Sequence, residues 1–566
     1  MTFQVGLAAV CALVVGAPVI SSAQRSQPAS APTTAPSLSI IVRHFRFTGN
    51  TRFSSARLEH EIAKYENRPI SQEDLEQARQ QLTLLYVNNG FINSGAVLPD
   101  QESRDRIITF KIIEGKLSEV RLKFGNLKIQ LPSGRVLEFK GHLLRDGYVR
   151  GRIEAGAQPP PLNIVTLKNQ LELLREDPVI ESINAELHPG AAQGESYLDA
   201  TVQESNPFGL ALVFSNRRPP SVGSTAFDLQ FSDRDLTGHG DPLAIRYDIA
   251  NGPLNDFRPA GADDYSIDYA IPLSPHDTTL SFDFTRTDAI VVQAPFTHLD
   301  ITSLTDSYSF TLRRPFYRRP VSDEGRPSVD FSMFLTAAWR DSRENLLGEP
   351  FSFSPGTVNG TSQVAALRFG QEYLRRSQTA AFSARSTFSF GINAMGSTPD
   401  RGELPGGRFI SWLGQFQYVR EIPGTDLQVL FKAAGQLADR SLLPIEQFAI
   451  GGIDTDRGYP EEEVLRDEGV VGTAEFHVPI LRGKSAGPDV LQFIPFVDLG
   501  YGANRTHMTG ISKFEYLPSA GIGLVFTPNR FINAQIFYGV PFRDVEKSHH
   551  DVEDQGLHFS VTISAF

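Results

Sequence analysis

After Pro207 the chain settles into alternation. Phe227, Leu229 and Phe231 are spaced by Asp228, Gln230 and Ser232, and Leu243, Ile245, Tyr247 and Ile249 by Ala244, Arg246, Asp248 and Ala250. Near the C-terminus, Ile532, Ala534, Ile536, Tyr538 and Val540 oppose Asn533, Gln535, Phe537 and Gly539. A period of two is the strand period, and apolar against polar over such stretches predicts strands with one lipid face and one wet face. Residues 236–241 read as a turn between the first two. Three segments repeat a proline at hairpin scale: Tyr269-Ala270-Ile271-Pro272-Leu273, Phe476-His477-Val478-Pro479-Ile480 and Tyr538-Gly539-Val540-Pro541-Phe542. Proline has no amide to give a ladder, so each belongs at a strand end beside a turn.

Before that point the pattern is mixed. Ile41, Arg43, Phe45 and Phe47 form a strand-like stretch ending at Gly49-Asn50-Thr51, and Ser54 or Ser55 can cap a first helix. Ser71-Gln72-Glu73-Asp74 is a capping box; Leu75, Ala78, Leu82 and Leu85 then share one helical face, and Asn89-Gly90 closes it. Strands at 91–98 and 106–114 complete a β-α-α-β-β unit over 40–115. A second unit at 116–204 is marked by a helix around 167–174, by Asp177-Pro178-Val179 and His188-Pro189-Gly190, and by a strand at 197–202. Its stretch 125–161, rich in Pro and Gly, predicts an insertion.

The N-terminus adds a destination. A short apolar run at 5–15 precedes Ser21-Ser22-Ala23, which reads as a signal peptide over 1–23 cleaved after Ala23, although no basic residue precedes the run. Residues 24–39 are a Pro-, Ala-, Ser- and Thr-rich disordered leader. The single cysteine, Cys11, leaves with the signal, so the mature chain has neither disulfides nor thiolate metal sites. Mean hydropathy is slightly negative and no later segment is long and apolar enough for a spanning helix, so a membrane role requires a β-barrel.

Candidate chemistry is sparse. A net charge of -12 argues against a nucleic-acid surface, and the basic run from Arg313 to Arg319 reads as a solvated strand end and turn. No nucleophile elbow, phosphate loop or His-Glu metalloprotease helix occurs, so no catalytic residue, cofactor or metal is expected. His549-His550-Asp551 with Asp554 and His558 reads as a solvated loop. Asp263-Asp264, Asp456 and Glu461-Glu462-Glu463 read as exposed loop charges.

One pair of segments stands apart: Gly451-Gly452-Ile453-Asp454-Thr455-Asp456-Arg457-Gly458-Tyr459, and later Phe496-Val497-Asp498-Leu499-Gly500. Period two puts Phe496, Asp498 and Gly500 on the wet face and Val497 and Leu499 on the lipid face. An Arg on a Gly-rich loop supplies the cation that an enclosed carboxylate needs. The pairing resembles the loop-and-strand signature of two-partner secretion outer-membrane transporters, TpsB type, the hemolysin secretion/activation protein family of the outer-membrane protein insertase superfamily. Gly49-Asn50-Thr51, residues 86–90 and Leu98-Pro99-Asp100-Gln101 resemble POTRA domains of that family.

The resemblance implies a mainly β fold in the bacterial outer membrane. Two periplasmic α+β POTRA domains, 40–115 and 116–204, would precede a transmembrane antiparallel β-barrel over 205–566, about sixteen strands by family analogy. The loop 451–463 would fold inward, with Arg457, Gly458 and Tyr459 holding it against Asp498 while Phe496 and Gly500 shape the wall. Asp456 stands where the family usually has an apolar residue and would compete for Arg457. The implied partners are the N-terminal secretion domain of a large exoprotein, outer-membrane lipids and the barrel assembly machinery, which reads a terminal strand ending in Phe566. Here Phe566 is out of phase with Leu557, Phe559, Val561, Ile563 and Ala565. The leader is too short for a plug helix plus its linker. Two other readings remain open, a barrel-inserting factor of the same superfamily and a passive porin.

Overall fold

The computed structural model describes residues 39–566 apart from 103, 132, 251–260, 294–295, 322–324, 403, 484–488, 507–511 and 546–550. The expected signal peptide and all but the end of the leader lie outside the described residues. Chain contacts divide into two units, one of residues up to 123 with 153–171 and 183–202, the other of 124–152, 172–182 and 203–566.

In the first unit, β1 (His44–Thr48), α1 (Ser55–Ile62), α2 (Gln72–Asn88), β2 (Gly95–Val97) and β3 (Ile107–Ile113) form a helix-covered sheet of order β1-β3-β2. Ser54 caps α1, and Ser71 makes the reciprocal box with Asp74 that starts α2. Leu75, Ala78, Leu82 and Leu85 pack on Phe45, Ile108 and Phe110 in one core. The expected strand at 41–47 is two pieces: Ile40–Ile41 pairs with Pro69–Ile70, and β1 begins at His44. Val42, not Ile41 or Arg43, is the buried side chain there, which breaks the alternation. Gln101 donates to and accepts from the Thr109 backbone at 2.8 Å, filling a strand's place beside β3.

A second sheet, order β4-β6-β5, joins β4 (Lys116–Phe124), β5 (Ile180–Pro189) and β6 (Glu195–Glu204), with α3 (Asp146–Gly156) and α4 (Ile164–Arg175) between β4 and β5 in the chain. Within 125–161, a hairpin of Leu127–Gln130 and Val136–Phe139 precedes α3.

The barrel opens with β7 (Phe208–Ser215), β8 (Ala226–Asp233), β9 (Leu243–Ala250), β10 (Ala262–Pro272) and β11 (Thr279–Ile290). Taller strands follow: β12 (Thr302–Arg319), β13 (Ser328–Leu346), β14 (Thr361–Arg376), β15 (Ala380–Ile392), β16 (Ile410–Glu421) and β17 (Gln428–Ala438). After a long loop come β18 (Glu468–Leu481), β19 (Leu491–Ala503), β20 (Phe514–Asn529), β21 (Ile532–Pro541) and β22 (Leu557–Ser564). All are antiparallel neighbours, and β7 closes on β22 from Ala211↔Ser564 to Ser215↔Ser560, a sixteen-strand closed barrel. Leu229, Ile245, Tyr247, Ile536, Tyr538 and Val540 point outward and exposed, as a lipid-facing band requires. No helix among the described residues is long and apolar enough to cross a membrane.

All three repeated prolines lie at or near a strand end, as expected, but not at one rim. Pro272 ends β10, and Pro479 lies near the end of β18 at a register shift, where a missing amide costs least. Both strands finish at the rim where β7 starts, whereas β21 runs parallel to β7 by strand parity, so Pro541 sits at the other rim. The basic run is a strand end, as expected, but Arg313 and Arg318 are ion-paired rather than solvated in a turn. It is the last part of β12, with Arg313 bonded to Glu372 at 2.9 Å and Arg318 to Asp330 at 2.9 Å.

Candidate functional site: an inward loop held on the barrel wall

Between β17 and β18, Phe448–Ile450 and Val464–Arg466 pair as a short stem, so residues 451–463 form its tip. The loop is apolar on the side that meets the wall: Phe448, Ile450 and Val464 of the stem and Tyr459 of the tip pack with Val471 of β18 and Leu517 of β20. Within the tip, Thr455 Oγ1 donates to the Gly451 carbonyl and accepts its amide, and the Gly452 amide reaches the Asp456 and Tyr459 carbonyls. The tip is thus folded before any wall contact is counted.

Arg457 is the side chain it presents. Its Nε lies 2.9 Å from Asp498 Oδ2 and its Nη2 2.9 Å from Oδ1, a two-point fork, while its own amide donates to Oδ2 at 3.0 Å. Nη1 lies 2.8 Å from Glu475 Oε1 on β18. The guanidinium is 3.7 Å from the Phe496 ring centre and 5.0 Å from that of Phe537. Arg457 is 3% exposed and Asp498 0%. A cation removed from water is therefore matched by two carboxylates and two ring faces, the only way such burial is tolerable.

The other expected residues meet the same wall. Tyr459 is fully buried; its hydroxyl donates to the Pro518 carbonyl at 2.9 Å and accepts the Arg543 amide at 3.3 Å. Gly458 has φ +107°, which side chains rarely adopt. It packs on Gly539 of β21, where a Cβ would stand 2.5 Å from the Gly458 nitrogen. A Cβ on Gly500 would meet Ile450 at 2.6 Å.

Several residues depart from the sequence expectation. Asp456 is not exposed and does not take Arg457: it is 0% exposed and accepts from Ser519 Oγ at 2.9 Å. Glu461 accepts the Ile453 amide at 2.8 Å, and its own amide donates to Glu553 at 3.2 Å. Folding the loop inward dries charges that an outward loop would leave in water; Glu462 alone of its run stays exposed. Glu475 was not singled out by the sequence reading, although it alternates with outward Ala474 and Phe476 on β18. Elsewhere, Asp264 lies within β10, 2.6 Å from Arg218, rather than in a loop. His549 and His550 lie outside the described residues. Asp551, Asp554 and His558 are buried, with Asp551 bonded to Ser224, so the solvated-loop reading fails for them. The one group of three ligand-type side chains close together among the described residues is His44, Glu59 and Glu66, an ion-pair set on the first module with His44 exposed.

Residues 194–526, which hold the loop tip, Glu475, Asp498 and Ser519, match the haemolysin secretion/activation protein family ShlB/FhaC/HecB. The chain belongs to that family. Residues 40–115 match the ShlB-type POTRA domain. The outer membrane transporter CdiB of Dickeya dadantii (strain 3937) is 20% identical over 514 residues, 88% of this chain and 82% of that one. CdiB of Escherichia coli is 23% identical over 439 residues, 75% of this chain and 66% of that one. Among solved structures, CdiB from Escherichia coli superposes with TM-score 0.66 at 17% identity, covering 95% of this chain and 92% of that one. BamA from Haemophilus ducreyi, lacking POTRA domains 1–3, gives 0.51 at 14% over 93% of this chain and all of that one, a likeness of fold. The family consists of two-partner secretion outer-membrane transporters, so the barrel lies in the outer membrane and its POTRA region in the periplasm.

Proposed function

We propose that this chain captures the secretion domain of a large partner exoprotein with its periplasmic modules, passes it outward through the barrel in extended form, and rests with the 451–463 loop clamped in the lumen. The observation that carries the reading is the buried Arg457 between Asp498 and Glu475. A loop held at its tip by polar bonds, rather than woven into the wall as a strand, is an obstruction that can be released without breaking the barrel. Capture is supported by the two sheets, whose orders β1-β3-β2 and β4-β6-β5 each leave outer strands for β-augmentation. No nucleotide is available in the periplasm, so the driving force is folding of the passenger outside.

The test is deletion of residues 40–204. The truncated chain is expected to assemble as a heat-modifiable barrel that no longer binds or secretes its exoprotein. Full secretion by the truncated barrel would reduce the modules to spacers.

A further inference from the structure

The root of the inward loop carries a second buried carboxylate. Glu446 closes the short helical turn Pro444–Glu446 just before the stem and is 8% exposed. Arg368 Nη2 on β14 lies 2.8 Å from Glu446 Oε1 and 3.0 Å from Oε2, and Arg340 Nη1 on β13 lies 3.3 Å from Oε1. Arg340 also donates to the Ile445 carbonyl, and Gln436 on β17 donates to the Glu446 carbonyl at 3.0 Å. Two wall arginines thus grip one carboxylate that belongs to the root of the inward loop.

The pair borders a cavity of about 630 Å³ in the lumen. Its charged lining is Arg340, Arg368, Arg385 and Lys432 from the wall against Glu446 and Asp454 from the loop. All the cations come from strands, and both anions come from the loop. This is not the character of the whole lumen: the inward positions of β8, β9 and β10 include Asp228, Asp248, Asp264 and Asp268, with Arg246 among them. Withdrawal of the loop would therefore leave Arg385 beside Glu372 of the wall at 3.6 Å but strip Arg340 and Arg368 of their shared carboxylate, a costly state unless another carboxylate arrives.

We infer that Arg340 and Arg368 form a carboxylate-binding subsite on the pore wall, occupied at rest by Glu446 as an internal stand-in for the acidic side chains of an extended polypeptide. A guanidinium presents several donors in one plane and accepts a carboxylate side-on, so any Asp or Glu passing at that height can replace Glu446. Exchange of one carboxylate for another keeps both arginines partnered while the loop moves. The subsite stands on pore geometry alone. Its use by the exported chain rests on the export reading above.

The test uses the full-length protein in planar lipid bilayers, with a short oligo-glutamate as probe and oligo-lysine of equal length as control. Glu446→Gln vacates the subsite of its charged occupant, and the neutral set Arg340→Gln, Arg368→Gln and Glu446→Gln removes the subsite without leaving an orphaned charge. Oligo-glutamate is expected to interrupt the current of Glu446→Gln at concentrations about tenfold below those needed for the parent, and the neutral set is expected to need about tenfold more than the parent. Heat-modifiable migration identifies folded barrels; if Glu446→Gln does not assemble, the comparison of parent with the neutral set decides. Equal block of parent and neutral set by oligo-glutamate, or equal block by oligo-lysine, would overturn the subsite. Secretion by the parent is measured separately, so loss of export and loss of the subsite are distinguishable.

Discussion

Replacing Arg457 with alanine removes three guanidinium bonds, two to Asp498 and one to Glu475, together with the stacking on Phe496. Each carboxylate keeps a remnant: Asp498 retains the residue-457 amide, and Glu475 retains His477 at 2.9 Å. With a partner site 0% exposed, the cost is that of breaking a buried pair, about 3–5 kcal/mol, above the 1–3 kcal/mol, roughly, expected for a pair wetted by a wide lumen. That energy is spent only while the loop is docked, so the released state gains about a hundredfold or more in population. A single cysteine at Ile453, buried within the tip, reads this directly, because Cys11 is the chain's one cysteine and lies in the expected signal peptide. Maleimide labelling in Arg457→Ala is expected to accelerate about a hundredfold over the parent when opening and closing are fast. Export and channel conductance should change with it. Asp498→Ala should act similarly, and the double variant should be little worse than either single, since partners in contact do not add. Arg457→Lys restores charge without the fork and should rescue only in part. Labelling within about twofold of the parent in Arg457→Ala, or single effects that simply sum, would refute the clamp.

Gly539→Ala places a Cβ against the Gly458 backbone at a contact no real side chain shows, so it should lift the tip and raise labelling at Ile453 with a cost of about 1–3 kcal/mol, while every ion pair is chemically intact. In the first module, burial raises the Glu114 carboxyl, but bonds from the Thr51 side chain, the Arg52 and Thr51 amides and the Tyr86 hydroxyl outweigh it and hold it below the ordinary glutamate value. A depressed carboxyl contributes stability above its unfolded value and loses it as the pH falls through the folded one. Protection of the Thr51 and Arg52 amides, taken relative to their intrinsic exchange rates at each pH, should therefore fall only as the pH drops below the usual glutamate range, and Glu114→Gln should show low protection already at neutral pH. The mature chain is expected to begin near Gln24, fractionate with outer membranes and migrate faster unheated than boiled; recovery in the inner membrane or as a soluble periplasmic protein would contradict the topology.

The barrel was legible because its signal is repeated and local. A lipid band forces period two onto every strand, and Val497 and Leu499 flanking Asp498 mark which way that carboxylate faces. The first module was legible for a different reason, since the box at Ser71 and the face from Leu75 to Leu85 are complete within one helix. What escaped depends on partners far off in sequence. Glu475 lies on the wet face of β18 like other polar strand residues, and its ion-pair partner Arg457 arrives only with the docked loop. Asp456 and Glu461 look like loop charges, and their burial follows from the loop folding inward. Gly539 reads as a weak strand residue until Gly458 is seen against it. Pro541 carries the same local signal as Pro272, and only counting strands around the closed barrel separates their rims.

The central claim, passage of the exoprotein through this barrel, is tested most directly by where a passenger in transit touches the wall. Lys432 lines the lumen cavity, and its neighbour Phe431 is 43% exposed on the outward face of the same strand. A photoreactive side chain at each position, with a partner exoprotein stalled by a folded domain at its trailing end, separates the two routes. Crosslinks to the passenger from position 432 and none from 431 are the expected result. Crosslinks from 431, or secretion that proceeds with neither position ever capturing the passenger, would contradict it.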